Sequence, residues 1–100
     1  MAERTKTGQK QHDSGVHRWI RGRQKEGFKT KADLPRYKKP SKIGGYFPDG
    51  WAKKGKIEKL LEVETSETLE TDKEQRAAFR KWADQSPNRT FFTRIVKKKK

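Results

Sequence analysis

Residues 46–65 read Tyr-Phe-Pro-Asp-Gly-Trp-Ala-Lys-Lys-Gly-Lys-Ile-Glu-Lys-Leu-Leu-Glu-Val-Glu-Thr, and this stretch decides how the chain folds. Aromatic, Leu and Val residues crowd both halves, and Lys53-Lys54-Gly55-Lys56 separates them, so the spacing predicts a β-hairpin with strands at 46–52 and 57–65. Downstream, Thr71-Asp72-Lys73-Glu74 has capping-box spacing, in which the Thr71 hydroxyl and the Glu74 carboxylate satisfy each other's free backbone donors. A helix is expected from there, with Ala78, Phe79, Trp82 and Ala83 as its apolar stripe. Ser86-Pro87-Asn88 stops it, and 90–96 reads as a closing strand.

Upstream, Ser14 is placed to cap a first helix whose apolar positions Val16, Trp19 and Ile20 fall at i, i+3 and i+4, with Gly27 ending it. A short strand near 28–31 and an extended connection holding Pro35 and Pro40 lead into the hairpin. The order is α-β-β-β-α-β, an α/β (α+β) domain: a small mixed sheet with a helix on each face. Residues 1–13, basic and without a large apolar residue after Met1, are expected to form a flexible arm, and Lys97 to Lys100 a matching tail. The single domain then spans 14–96.

The chain has 100 residues, enough for one small domain, and only 28% of them are hydrophobic, which approaches the composition of disorder. Three Trp, five Phe and two Tyr nevertheless suffice for a small core. The absence of cysteine excludes a disulfide framework and a thiolate zinc site, so the cell interior, the cytoplasm by default, is the expected location. No apolar run approaches the roughly 20 residues that cross a bilayer, and the start lacks the apolar segment of a signal peptide, so no membrane partner is expected.

The net charge of +14 suits a phosphate-rich partner, and nucleic acid is the expected one, DNA ahead of RNA. Arg18, Arg21 and Arg23 on the first helix and Lys53, Lys54 and Lys56 at the hairpin tip are the expected phosphate contacts. Trp51 and Phe47 flank Asp49 and are placed to stack on a nucleotide, whereas Trp19 and Trp82 fit apolar stripes and belong to the core. The charge is unevenly spread. Residues 58–74 hold seven acids (Glu58, Glu62, Glu64, Glu67, Glu70, Asp72 and Glu74) against Lys59 and Lys73, a net −5 inside a remainder of +19. Acids in such a setting either pair with neighbouring cations or hold a metal ion, and a metal facing a phosphate is what metal-assisted phosphodiester cleavage needs.

Glu62 and Glu64, two apart on a strand, share a face, and Val63 takes the other. A turn centred between Gly55 and Lys56 pairs positions that sum to 111, which sets Asp49 opposite Glu62. Three carboxylates then converge as a candidate site for Mg²⁺ or Mn²⁺, hard ions that accept such oxygens together with water and substrate. Against this, Pro48-Asp49-Gly50 alone reads as a turn tripeptide. Glu67, Glu70 and Asp72 read as acids favoured near a helix N-terminus, without chemistry. His12 and His17, five apart, do not share a helix face and read as surface histidines. Gly44-Gly45 precedes a strand and not a helix, so it is a bulge or hinge and not a phosphate loop.

At Pro48-Asp49 and Glu62-Val63-Glu64 the chain resembles the PD-(D/E)xK nuclease superfamily, whose members carry Pro-Asp on one strand and acid-x-Lys on the next. Gln75-Arg76-Ala77-Ala78-Phe79 is similar to the Gln-x-x-x-Tyr element that some members place on the following helix. The resemblance covers roughly 14–96. It implies a restriction-endonuclease-like core and a Mg²⁺- or Mn²⁺-dependent endonuclease that hydrolyses DNA. It also implies Asp49 and Glu62 as metal ligands, the Val63 carbonyl as an extra ligand, and Gln75 orienting substrate or water. Glu64 stands where the family has its lysine, so it would act as general base or further ligand; an inactive descendant would also tolerate it. The first helix shows no inward Glu of the kind many relatives use, leaving His17 or Asp13 as stand-ins. A homodimer would let so small a chain reach two strands. The competing expectation is a non-catalytic nucleic-acid-binding protein, an accessory or ribosome-associated factor, in which the acids pair with the chain's own lysines.

Overall fold

The structure is a computed structural model that describes residues 6–65, 68–69 and 71–96, with residues 6–11 as backbone only. Six elements follow one another: α1 (Lys6–Lys25), β1 (Lys29–Ala32), β2 (Gly50–Lys54), β3 (Ile57–Thr65), α2 (Lys73–Asp84) and β4 (Arg89–Val96). The strands form one sheet in the order β1-β2-β3-β4. β1, β2 and β3 pair antiparallel, whereas β3 and β4 run parallel. Parallel neighbours need a long crossover, and α2 supplies it. The expected mixed α+β architecture and its α-β-β-β-α-β order are therefore what the chain adopts.

β3 is the inner strand that both helices cover, and its residues from Leu60 to Thr65 are all buried. Strand alternation sends Leu61 and Val63 toward α1, where they pack with Val16, Ile20, Ala32 and Leu34. The opposite face belongs to α2, whose buried Phe79 meets Phe91 edge to face at 5.6 Å between ring centroids. Gly15 and Gly50 let α1 sit close: a Cβ on Gly50 would lie 3.2 Å from the Trp19 ring. No helix among the described residues is long and apolar enough to cross a membrane.

Several boundaries differ from expectation, each for a local reason. α1 begins at Lys6, so 6–13 is helix rather than arm, and Ser14 lies exposed inside it instead of capping it. Gln and Lys there are good helix formers, and His12, four residues before Val16, extends the buried stripe by one turn. Residues 1–5 and 97–100, the remaining arm and the tail, lie outside the described residues, as do Glu67 and Glu70. β2 starts at Gly50 and not at 46, because the chain first turns through Gly44 and Gly45 at φ +62° and +88°, with mutual backbone bonds between Ile43 and Tyr46. Gly44-Gly45 is thus a two-residue turn, not a bulge or hinge. The main hairpin closes through Gly55-Lys56 alone, with Gly55 at φ +59°. The capping box does not form. Asp72 is the N-cap of α2 without a side-chain cap bond, and the Thr71 hydroxyl donates instead to the Thr68 carbonyl. Backbone bonds from Thr68, Leu69 and Asp72 back to Thr65 and Thr68 already turn the chain ahead of α2, and the Thr71 hydroxyl is drawn back to them.

Candidate metal centre

The inferred register holds: Gly50 pairs with Leu61 and Lys54 with Ile57, each pair summing to 111. Asp49 therefore sits where β2 begins, opposite Glu62. Its backbone is fixed from both sides, its N–H donating to the Leu61 carbonyl and its carbonyl accepting from Asp33 N–H, each at 3.0 Å. Its carboxylate turns back along the strand end, where Oδ2 accepts the Val63 N–H at 2.8 Å. The chain's Pro-Asp thus ends β2 by replacing a backbone acceptor with a side-chain one.

Glu62 and Glu64 project together toward α2, and both are essentially inaccessible to solvent. From α2, the Gln75 amide donates to Glu62 Oε2. Arg76 lies 3.7 Å from Glu64 Oε1 and donates to the Leu69 carbonyl at 2.6 Å. Thr68 donates to Glu64 Oε2 at 2.5 Å. Asp72, at the N-cap, completes the group: Glu62, Glu64 and Asp72 each present an oxygen within 4.8 Å of the others. The three that lie within reach of one ion are thus not the expected Asp49, Glu62 and Glu64. Asp49 stands beside Glu62, but its oxygens are already engaged.

The partner that engages Asp49 is His12. Its Nε2 lies 2.9 Å from Asp49 Oδ1 and its Nδ1 3.0 Å from Asp13 Oδ1. Two carboxylates flanking one imidazole are both satisfied when each ring nitrogen carries a hydrogen. The ring is 3% exposed, so the expectation of a surface histidine fails here. His17, by contrast, is exposed, and Asp13 contacts His12. His12 and Asp72 were legible in principle. Carrying each helix's buried stripe back one turn, from Val16 and Ile20 to His12 and from Phe79 through Arg76 and Gln75 to Asp72, lands on both.

Burial and crowding set the electrostatics. For Glu62, desolvation, then the hydrogen bond and charge of Asp49, then the charges of Glu64 and Asp72, push the carboxyl up to about 11. Glu64 rises to about 7 through desolvation and the charges of Asp72 and Asp49, offset by the Thr68 hydroxyl and Arg76. Desolvation alone would raise Asp49 too, but the His12 contact, the Glu62 hydrogen bond, the His12 charge and the Val63 N–H bring it below the usual carboxylate range. Like charges this close cannot all ionise without a counterion, so the cluster holds either a proton or a cation.

The fit to a cation rests on two atoms. Glu62 Oε1 and Glu64 Oε1 are buried and accept no hydrogen bond, with the Arg76 guanidinium 3.7 Å from the latter. Buried acceptors are ordinarily satisfied, and three hard oxygens around two such atoms suit Mg²⁺ or Mn²⁺. No known protein family, curated protein or solved structure matches the chain.

The expected phosphate contacts divide. Arg18, Arg21, Lys53 and Lys56 are exposed. Lys54 donates to the Glu26 carbonyl at 2.7 Å and closes the end of α1, and Arg23 pairs with Glu26 at 2.5 Å. Trp51 donates to Glu58 at 3.2 Å with Lys31 over its ring, and Phe47 has Lys39 and Lys42 over its ring, so both aromatics lie among cations.

Proposed function

We propose that the chain is a metal-dependent nucleic-acid phosphodiesterase, an endonuclease-like domain of the PD-(D/E)xK kind that grips DNA by its basic surface. The observation that carries this reading is the convergence of three buried carboxylates, Glu62, Glu64 and Asp72, with an oxygen on each of Glu62 and Glu64 that accepts no hydrogen bond, inside a chain of net charge +14. Glu62, Glu64 and Asp72 would hold Mg²⁺ or Mn²⁺. Such an ion, when bound, polarises a phosphate oxygen and lowers the pKa of a water molecule.

The chain's own residues have separate tasks. Glu64 would serve beside Glu62 and Asp72 as a ligand of the ion, or as the group that accepts a proton from an attacking water. Gln75 fixes the rotamer of Glu62 through its amide. His12 holds Asp49, and Asp49 holds the Val63 N–H, so α1 and the start of β2 keep β3 in place beneath the substrate. Glu64 replaces the family's lysine, and the positive charge arrives instead from α2 as Arg76, whose guanidinium is placed to offset charge developing on phosphate. Arg18, Arg21, Lys53 and Lys56 supply exposed positive charge for the strand.

The test is incubation of supercoiled and branched DNA with Mg²⁺ or Mn²⁺, comparing wild type with Asp49→Ala, Glu62→Ala and Asp72→Asn. Cleavage by wild type, lost in all three variants whose folding is verified by circular dichroism, is expected; equal activity in all, or none in any, refutes the proposal. One observation favours a second reading, a non-catalytic nucleic-acid binder. A proton on Glu62, shared with Asp49, together with Arg76 beside Glu64, would neutralise the cluster without metal. Calorimetric titration separates the two: Mn²⁺ bound by wild type and not by Glu62→Ala supports the nuclease, whereas DNA binding indifferent to metal supports the binder.

A further inference from the structure

A second site lies on the α1 side of the sheet. A cavity of about 550 Å³ opens between α1 and the turn at 34–37, lined by Asp13, His17, Leu34, Pro35, Arg36 and Tyr37. Its chemistry is mixed in a particular way. Leu34 and Pro35 are apolar, and His17 and Tyr37 meet edge to face with centroids 5.6 Å apart at 68°. Arg36 adds a fixed positive charge at the rim, and Asp13 an acceptor for an amino group. Aromatic faces, a guanidinium and one acceptor match a base and its phosphate.

Two further observations point the same way. The turn closes by a bond from Tyr37 N–H to the Leu34 carbonyl at 3.3 Å, with Pro35 and Arg36 at its centre. Arg36 takes φ +72°, the only positive φ outside glycine among the described residues. A type II turn asks for glycine at that position, so arginine is held there against its preference, and its exposed guanidinium stands at the cavity mouth. The cavity also joins the acid cluster physically, because Asp13, one of its walls, contacts His12, and His12 contacts Asp49.

We propose that this cavity holds one unpaired nucleotide of a bound strand, so that the chain prefers nucleic acid carrying unpaired nucleotides, whether or not it cuts the strand. The volume lies within the roughly 300–1,000 Å³ of ordinary small-ligand sites. A base enters such a space only after leaving the helical stack, where its faces and edges are otherwise covered. Single strands, flaps and branch points present such bases without the cost of unstacking them.

The experiment is fluorescence anisotropy in EDTA, using the whole chain, with a mixed-sequence single strand in deoxy and ribo form and the duplex made from the deoxy strand. Two variants are compared with wild type: Arg36→Gly, which relieves the turn, and His17→Ala, which removes an exposed ring. Losing a base contact weakens affinity by about tenfold. Each variant is therefore expected to bind one or both single strands about tenfold more weakly while duplex binding falls less than about threefold. Arg36→Gly should also unfold at an equal or higher temperature than wild type, which separates lost contact from lost structure. Equal factors for strand and duplex in both variants, or no change in either, overturn the assignment. Selective loss in EDTA without cleavage in Mn²⁺ keeps the cavity assignment and discards the nuclease; cleavage without selective loss does the reverse.

Discussion

Glu62→Gln isolates the charge that this fold accommodates least well. In the folded chain the Glu62 carboxyl is pushed up to about 11, against 4.5 for an ordinary glutamate. Between those values the folded state keeps a proton that the unfolded state has released. The group's contribution is thus most favourable below pH 4.5 and is lost steadily as pH rises toward 11. Glu64, at about 7, adds a second slope below neutrality, so pH 7.5 to 9 is the window in which Glu62 acts alone. One proton corresponds to about 1.4 kcal/mol per pH unit, hence about 2 kcal/mol across that window. For a domain of this size that is a fall in melting temperature of roughly 8–16 °C. The assay is thermal unfolding followed by circular dichroism in EDTA at several pH values. Wild type should lose stability from pH 7.5 to 9, and Glu62→Gln, which keeps an acceptor for Gln75 and carries no charge, should be flat. Added Mn²⁺ should flatten the wild-type curve, because a cation replaces the missing proton. A flat wild-type curve in EDTA, or an equal slope in the variant, would refute the reasoning.

Other outcomes follow from the same geometry. Asp72→Asn removes a charge that raises Glu64, so in EDTA the Glu64 carboxyl should titrate at lower pH than in wild type, read from its side-chain carboxyl NMR shift across pH 5 to 8. Phe79→Ala should cost about 3–5 kcal/mol in urea denaturation, since Phe79 is wholly buried against Phe91. Arg18→Ala and Arg21→Ala should each lower the slope of log affinity for duplex DNA against log salt by about 1 if each cation sits on a phosphate; an unchanged slope would move the DNA path off α1.

Much of the fold was legible because the strongest signals were local. The turn at Gly55-Lys56 and the alternation of Leu61, Val63 with Glu62, Glu64 determine β3 and its pairing to β2, and both stand in the sequence. Misread features involve competition between local signals and tertiary ones. Ser14 has the chemistry of a cap, but His12 finds the carboxylate of Asp49, just before β2, and one buried contact is enough to carry α1 past Ser14 toward the N-terminus. Thr71 and Glu74 have capping-box spacing, but the Thr71 hydroxyl turns back to the Thr68 carbonyl and Asp72 takes the N-cap. Asp72 looked like a helix-dipole residue and is one; that it also faces Glu62 follows only from how α2 docks, which no residue spacing within the hairpin contains.

The core and the acid cluster depend on one and the same register. β3 sends Leu61 and Val63 into the apolar cluster under α1 and Glu62 and Glu64 beneath α2, so a slip of one residue would exchange them, placing carboxylates among Val16 and Ile20 and valine against Gln75 and Arg76. Hydrophobic burial thus enforces the convergence of the acids without any direct attraction between them. Their mutual repulsion is opposed by the packing of α1 on the other face, about 1.5–3 kcal/mol for each large apolar side chain removed from water. A chain built this way can keep four carboxyl groups together with a proton on Glu62 as the placeholder, and under the proposed function the exchange of that proton for a cation would be the step that turns a folded scaffold into a working site.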